Sequence, residues 1–108
     1  MKGCDLGELR MNTINLGLDN GKLYAGCEIV EVGGRLTLQT SPEEASNTVG
    51  RNCAQIIDSI PADDRQELVL TGPMAVWAYL VVFHQVVHKF GRVYYDDGRG
   101  NKVLVAQH

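Results

Sequence analysis

Three stretches near the end of this sequence combine residue types at spacings that chemistry can use. Thr71-Gly72-Pro73 closes the apolar run from Glu67 and leads into a long apolar stretch, so it reads as a strand feeding a helix. Such a turn puts backbone N–H groups and the positive end of a helix dipole at the carboxyl edge of a sheet, where phosphate binds. A Gly-Pro pair is also an ordinary strand-to-helix turn. His84 and His88 stand four apart, so on a helix they share one face and could bridge a metal ion. Gln85 occupies the place where a metalloprotease of this pattern needs glutamate, which argues against a water-activating protease site. Two imidazoles on an apolar helix require partners or water, so they mark either an exposed end or a site. Asp97 and Arg99, with Gly98 between them, place a carboxylate and a guanidinium in one turn. That pair is either surface punctuation or a grip for phosphate, which guanidinium binds bidentately.

The elements that must position these residues follow from local signals. Thr13 to Leu18 and Leu23 to Ile29 alternate around Asn20-Gly21, which predicts a β-hairpin. Gly33-Gly34 precedes a short strand, Arg35 to Leu38. Ser41-Pro42-Glu43-Glu44 carries an N-cap serine, a proline at the first helical position and a capping-box glutamate, so a first helix starts there and runs to about Pro61. A second helix is expected from about Pro73 to Lys89, apolar almost all round and therefore largely buried. Arg92 to Asp97 and Val103 to Val105 read as two strands around a Gly98-Arg99-Gly100-Asn101 turn. The strand–helix–strand order from Glu67 onward is long enough for a parallel crossover. The expected fold is α/β: one small Rossmann-like domain, residues 1–108, with a mixed sheet and two main helices. Residues 1–10 read as a weakly ordered extension.

Composition narrows the function classes. The 108 residues carry a net charge of −3, which does not predict a protein that holds DNA or other long nucleic acid by phosphate contacts. Residues 1–83 hold 6 basic and 11 acidic side chains, whereas residues 84–108 hold 4 basic, 2 acidic and all three histidines. That basic C-terminal quarter suits a small bound anion. Cys4, Cys27 and Cys53 form no CxxC pair, so neither a disulfide framework nor a cysteine zinc site is suggested, and a reducing cytoplasm fits. The N-terminus lacks an apolar signal region, and the run Met74 to Phe83 is too short to span a bilayer, so no membrane role is expected.

Thr71-Gly72-Pro73, Trp77, His88, Asp97-x-Arg99 and the closing Val-Leu-Val-Ala-Gln-His, taken in this order, resemble the third family of CRISPR-associated ring nucleases. The resemblance covers about residues 67–108, with Gly98 standing where the family commonly has proline. It implies a minimal relative of the CARF-type Rossmann sensors that forms homodimers and degrades cyclic tetra-adenylate with manganese in type III CRISPR defence. It further implies that His88, Asp97 and Arg99 are the essential histidine, aspartate and arginine. Thr71, Gly72, Pro73, His84 and Arg99 are then expected at the ligand, and Asp97 and His88 are candidate metal ligands. On these terms His88 shuttles a proton near neutral pH, Arg99 holds phosphate oxygens, and Asp97 orients a metal ion or an imidazole. Trp77, Tyr94 and Tyr95 are candidates to stack adenines, with Trp77 better explained as core.

Two other readings stand beside the enzyme. One is a non-catalytic sensor or sponge that binds cyclic oligoadenylate without cutting it; the other is a His-x-x-x-His metal-binding protein. Geometry adds an expectation. His88 falls near the end of the second helix and Asp97 at the return of the following strand, so a shared site would need a second dimer docked head-to-tail, giving a tetramer or filament.

Overall fold

A computed structural model describes residues 11–108; Cys4 and the expected N-terminal extension lie outside the described residues. The strands are β1 (Met11–Asn15), β2 (Ile29–Val32), β3 (Arg35–Leu38), β4 (Glu67–Thr71), β5 (Arg92–Asp96) and β6 (Lys102–Gln107). The helices are α1 (Pro42–Asp58) and α2 (Val76–Val86), with a 3-10 turn at Ala62–Asp64. Four strands form one mixed sheet in the order β1-β4-β5-β6, in which β1, β4 and β5 run parallel and β6 returns antiparallel. This is a small α/β arrangement with a mixed sheet and two α-helices.

Local chemistry accounts for much of it. Ser41 caps α1, its side chain accepting the Glu44 N–H at 3.3 Å, and Pro42 opens the first turn. Gly33 and Gly34 both have positive φ, 59° and 81°, as the two-residue loop joining β2 to β3 requires. The two parallel crossovers, β1-α1-β4 and β4-α2-β5, advance the same way across the sheet, and the usual right-handed connection then puts both helices on one face. Burial agrees: Val49, Cys53 and Ile57 of α1 and Ala78, Val82 and Val86 of α2 share one core with Ile14, Leu68, Leu70 and Val93 of the sheet.

The expected hairpin from Thr13 to Ile29 does not form. β1 pairs instead with β4, from Met11 opposite Glu67 to Asn15 opposite Thr71. Residues after β1 turn because their side chains hold them: Asn20 donates from Nδ2 to the Asn15 carbonyl at 2.7 Å and accepts the Leu23 N–H through Oδ1 at 3.2 Å. Leu23 and Tyr24 are both buried, in a turn segment rather than a strand. The Tyr24 hydroxyl donates to the Leu16 carbonyl, anchoring the segment.

The second helix is shorter and less buried than expected. Gly72 takes φ +110° and Ala75 is extended, so the chain swings before helical geometry begins at Val76. Ala78, Val82 and Val86 face the core, but Val76 and Leu80 on the other side are 72% and 64% exposed. Trp77 is half-buried and packs against the core. Among the described residues no helix is long and apolar enough to cross a membrane.

Candidate active site

Parallel pairing aligns the carboxyl ends of three strands. Asn15 lies opposite Thr71, and Thr71 opposite Asp96, so the loops after β1, β4 and β5 meet at one edge of the sheet. A cleft of about 500 Å³ opens there between Asn15, Thr71, Gly72, Tyr79, Asp96 and Asp97. Open sheets bind ligands at this edge because the loops and their backbone polar groups converge on it.

Each wall of the cleft is held by a named bond. The Thr71 hydroxyl donates to the Asp96 carbonyl at 3.0 Å, tying β4 to β5. Leu16 N–H donates to the Thr71 carbonyl at 2.7 Å, extending the pairing of β1 and β4 past the strands. Asn15 Oδ1 accepts the Gly17 N–H at 2.8 Å, while its Nδ2 donates to Asp19 at 2.9 Å. The Tyr79 hydroxyl donates to the Gly72 carbonyl at 2.6 Å, and the Tyr79 ring meets that of Tyr95 edge-on at 5.3 Å. Burial, with the nearby Tyr95 and Asp96, pushes the Tyr79 hydroxyl up to about 12, so it remains a donor at neutral pH.

Thr71, Gly72, Pro73 and Asp97 thus line one cleft. The expected helix N-terminus at Gly72-Pro73 is corrected. The helix begins at Val76, and proline has no N–H to offer, so this stretch contributes a loop rather than a ready anion site. The Asp97 carboxylate is engaged in its own turn: Oδ1 accepts the N–H groups of Arg99 at 2.7 Å and Asn101 at 3.3 Å, and Oδ2 accepts from Asn101 Nδ2 at 2.9 Å. The Asn101 side chain first, then the Arg99 N–H, hold its pKa below the ordinary aspartate value. Asp96 accepts the Gly98 N–H through Oδ1 at 2.8 Å; its second oxygen makes no hydrogen bond among the described residues. Arg99 is exposed beside the cleft rather than in its lining, and forms no ion pair among the described residues.

The histidines are elsewhere. His88 follows α2, exposed, at the opposite edge of the sheet, and the five residues of β5 separate it from Asp97 by on the order of 20 Å. Its neighbour is His108, whose ring lies 5.1 Å away between centroids. His108 is fixed by its N–H to the Gly91 carbonyl at 2.8 Å, and its Nε2 lies 2.6 Å from the Val87 carbonyl. Since a carbonyl only accepts, Nε2 carries the proton. No spacing rule linked these two histidines, because 19 residues and a strand reversal lie between them. His84 lines a different hollow, between α1 and α2, beside Arg51 and Asn47.

Among the candidate adenine-stacking rings, Tyr95 is at the cleft, whereas Tyr94 alternates to the other sheet face with Lys102 Nζ 4.9 Å above its ring. Asp97 and His88, the two candidate metal ligands, do not meet within one chain, and among the described residues no three His, Cys, Asp or Glu side chains cluster to hold a metal ion. Cys27 and Cys53 are free thiols. Comparison with known protein families, with curated proteins and with solved structures gives no match.

Proposed function

We propose that this protein is a cytoplasmic ring nuclease with a small Rossmann-like, CARF-related fold, which binds cyclic tetra-adenylate and cleaves it to linear oligoadenylates, switching off type III CRISPR signalling. The observation that supports it most is the alignment of Asn15, Thr71 and Asp96 across three parallel strands, with a polar cleft above them. Arg99 reaches the ligand's phosphates from the cleft rim, and Asp97 positions it by holding its N–H. Asp96 offers a carboxylate oxygen inside the cleft. His88 supplies proton transfer from the opposite edge of a second subunit docked head-to-tail, completing a tetramer or filament.

Self-association has a surface to use. β6 is an edge of the sheet, and its exposed Val105 shares an apolar groove with the exposed Val76 and Leu80 of α2. These side chains leave an apolar patch on the order of 300 Å², of the size that marks interaction sites. An edge strand whose one charge, Lys102, stands at its first residue can meet a second copy of itself antiparallel across a two-fold axis. That contact forms the homodimer.

The test is turnover. Excess cyclic tri-, tetra- and hexa-adenylate is incubated with protein and manganese, then with EDTA; linear products that stop with EDTA and return with added manganese support the enzyme and its metal requirement. The separation of His88 from Asp97 favours a second reading, the sensor or sponge. It is the outcome if the tetra-adenylate ring binds and stays intact.

A further inference from the structure

The carboxyl-edge cleft has a neighbour. A second hollow of about 540 Å³ shares Asn15 and Pro73 with it as lining residues. Its walls are Leu18 and Asp19 from the turn after β1, and Arg35 and Leu36 from the β2–β3 hairpin. That hairpin pairs with no other strand among the described residues, and it holds Leu36 45% exposed. Two four-residue strands are marginal on their own. This hairpin nevertheless presents an apolar side chain and a guanidinium at the hollow rather than in the core.

The chemistry of the hollow is mixed in a particular way. Leu18, Leu36 and the Pro73 ring give apolar surfaces. Asp19 and Arg35 give opposite charges that form no ion pair with each other. Asp19 Oδ1 accepts from Asn15, and its other oxygen has no hydrogen bond among the described residues. The Arg35 guanidinium has none. A simple anion is repelled by Asp19 and a simple cation by Arg35. A fragment with a flat apolar body, an amino donor and a phosphate satisfies all three features at once.

We propose that the hairpin hollow is a second nucleotide subsite, in which one adenylate unit lays its base against Leu18, Leu36 and Pro73, donates its exocyclic amine to Asp19 and sets its phosphate on Arg35. The assignment rests on the reading of the neighbouring cleft as a cyclic oligoadenylate site, and it deepens that reading by naming what selects adenine. Hypoxanthine, with a carbonyl in place of the amine, sets an acceptor against the Asp19 carboxylate and is rejected.

Adenosine 5′-monophosphate is the probe, titrated into the full chain while backbone amide NMR signals are followed. Shifts are expected at Leu18, Asp19, Arg35 and Leu36, with inosine 5′-monophosphate binding about tenfold more weakly. Arg35→Ala is expected to weaken adenosine monophosphate about tenfold, and Asp19→Asn to abolish the preference for it over the inosine nucleotide, each with an otherwise unchanged amide spectrum. Hairpin shifts with this preference support the subsite even if the wild type neither binds nor cuts cyclic tetra-adenylate, a result that sinks only the ring-nuclease reading. Shifts absent from the hairpin, equal affinity for the two nucleotides, or cleavage of cyclic tetra-adenylate by Arg35→Ala with unchanged KM overturns the subsite and leaves the ring nuclease standing.

Discussion

A Cβ added to Gly72 would lie 2.2 Å from Asn15 Oδ1 and 2.8 Å from the Gly17 nitrogen, so the loops after β1 and β4 touch at a point where only glycine fits. The φ of +110° at Gly72 imposes the same requirement independently. The cleft depends on this approach, since Asn15 and Gly72 are both in its wall.

Gly72→Ala is therefore expected to destabilise the fold by about 1–3 kcal/mol through backbone strain and the clash. Asn15→Ala, added to it, removes only the contact with Asn15 Oδ1, so it should recover part of the loss and leave the strain and the close backbone contacts with the Leu16 and Gly17 nitrogens. Thermal unfolding of the two variants measures both; a melting temperature for Gly72→Ala within a degree of wild type would show that the two loops do not meet this closely.

Because His88 and Asp97 occupy opposite edges of the sheet, a shared site must be built from two subunits. His88→Ala and Asp97→Ala proteins, each expected to lose about 10²–10⁴-fold in cleavage, should regain activity when mixed. A mixture as inactive as its components, with both still folded and binding the ring, rules out the head-to-tail site.

Asp97 provides a pH signature. Its folded pKa lies below the ordinary value because Asn101 and the Arg99 N–H bond the charged form. Its contribution to the turn is thus complete above the unfolded aspartate pKa, and is lost as pH falls through the lowered folded pKa. Carboxyl-carbon NMR should find Asp97 titrating below the ordinary aspartate value, and Asn101→Ala should move it upward. An Asp97 titration that Asn101→Ala leaves unmoved would contradict the turn as described.

Leu80 and Val105 line one apolar groove on the surface assigned to the homodimer. Leu80→Glu and Val105→Lys are each expected to weaken self-association by about 10- to 100-fold without loss of fold, since a charge in an apolar contact costs more than the side chain removed. Sedimentation velocity over a concentration series reads this directly. Unchanged association in both variants would move the contact to another face.

The sequence by itself determined the features whose causes are local. Ser41 with Glu44 fixed the start of α1, Gly33-Gly34 the break before the short strand β3, and the run Glu67 to Thr71 a buried strand. Asp97 with Asn101 fixed the last turn. Each depends on sterics and hydrogen bonds within a few residues, so residue type suffices. Tertiary structure decided what depended on which distant surface becomes buried. The alternation in Thr13 to Leu18 suited a hairpin as well as a parallel strand, and only pairing with β4 against the two-helix core chose between them. The same core left one side of α2 exposed, which an apolar sequence could not disclose. It also separated His88 from Asp97 while joining it to His108, and brought Arg35 to the hollow beside Asn15. Strand order and chain reversal set those distances, and neither is encoded in the spacing of the residues themselves.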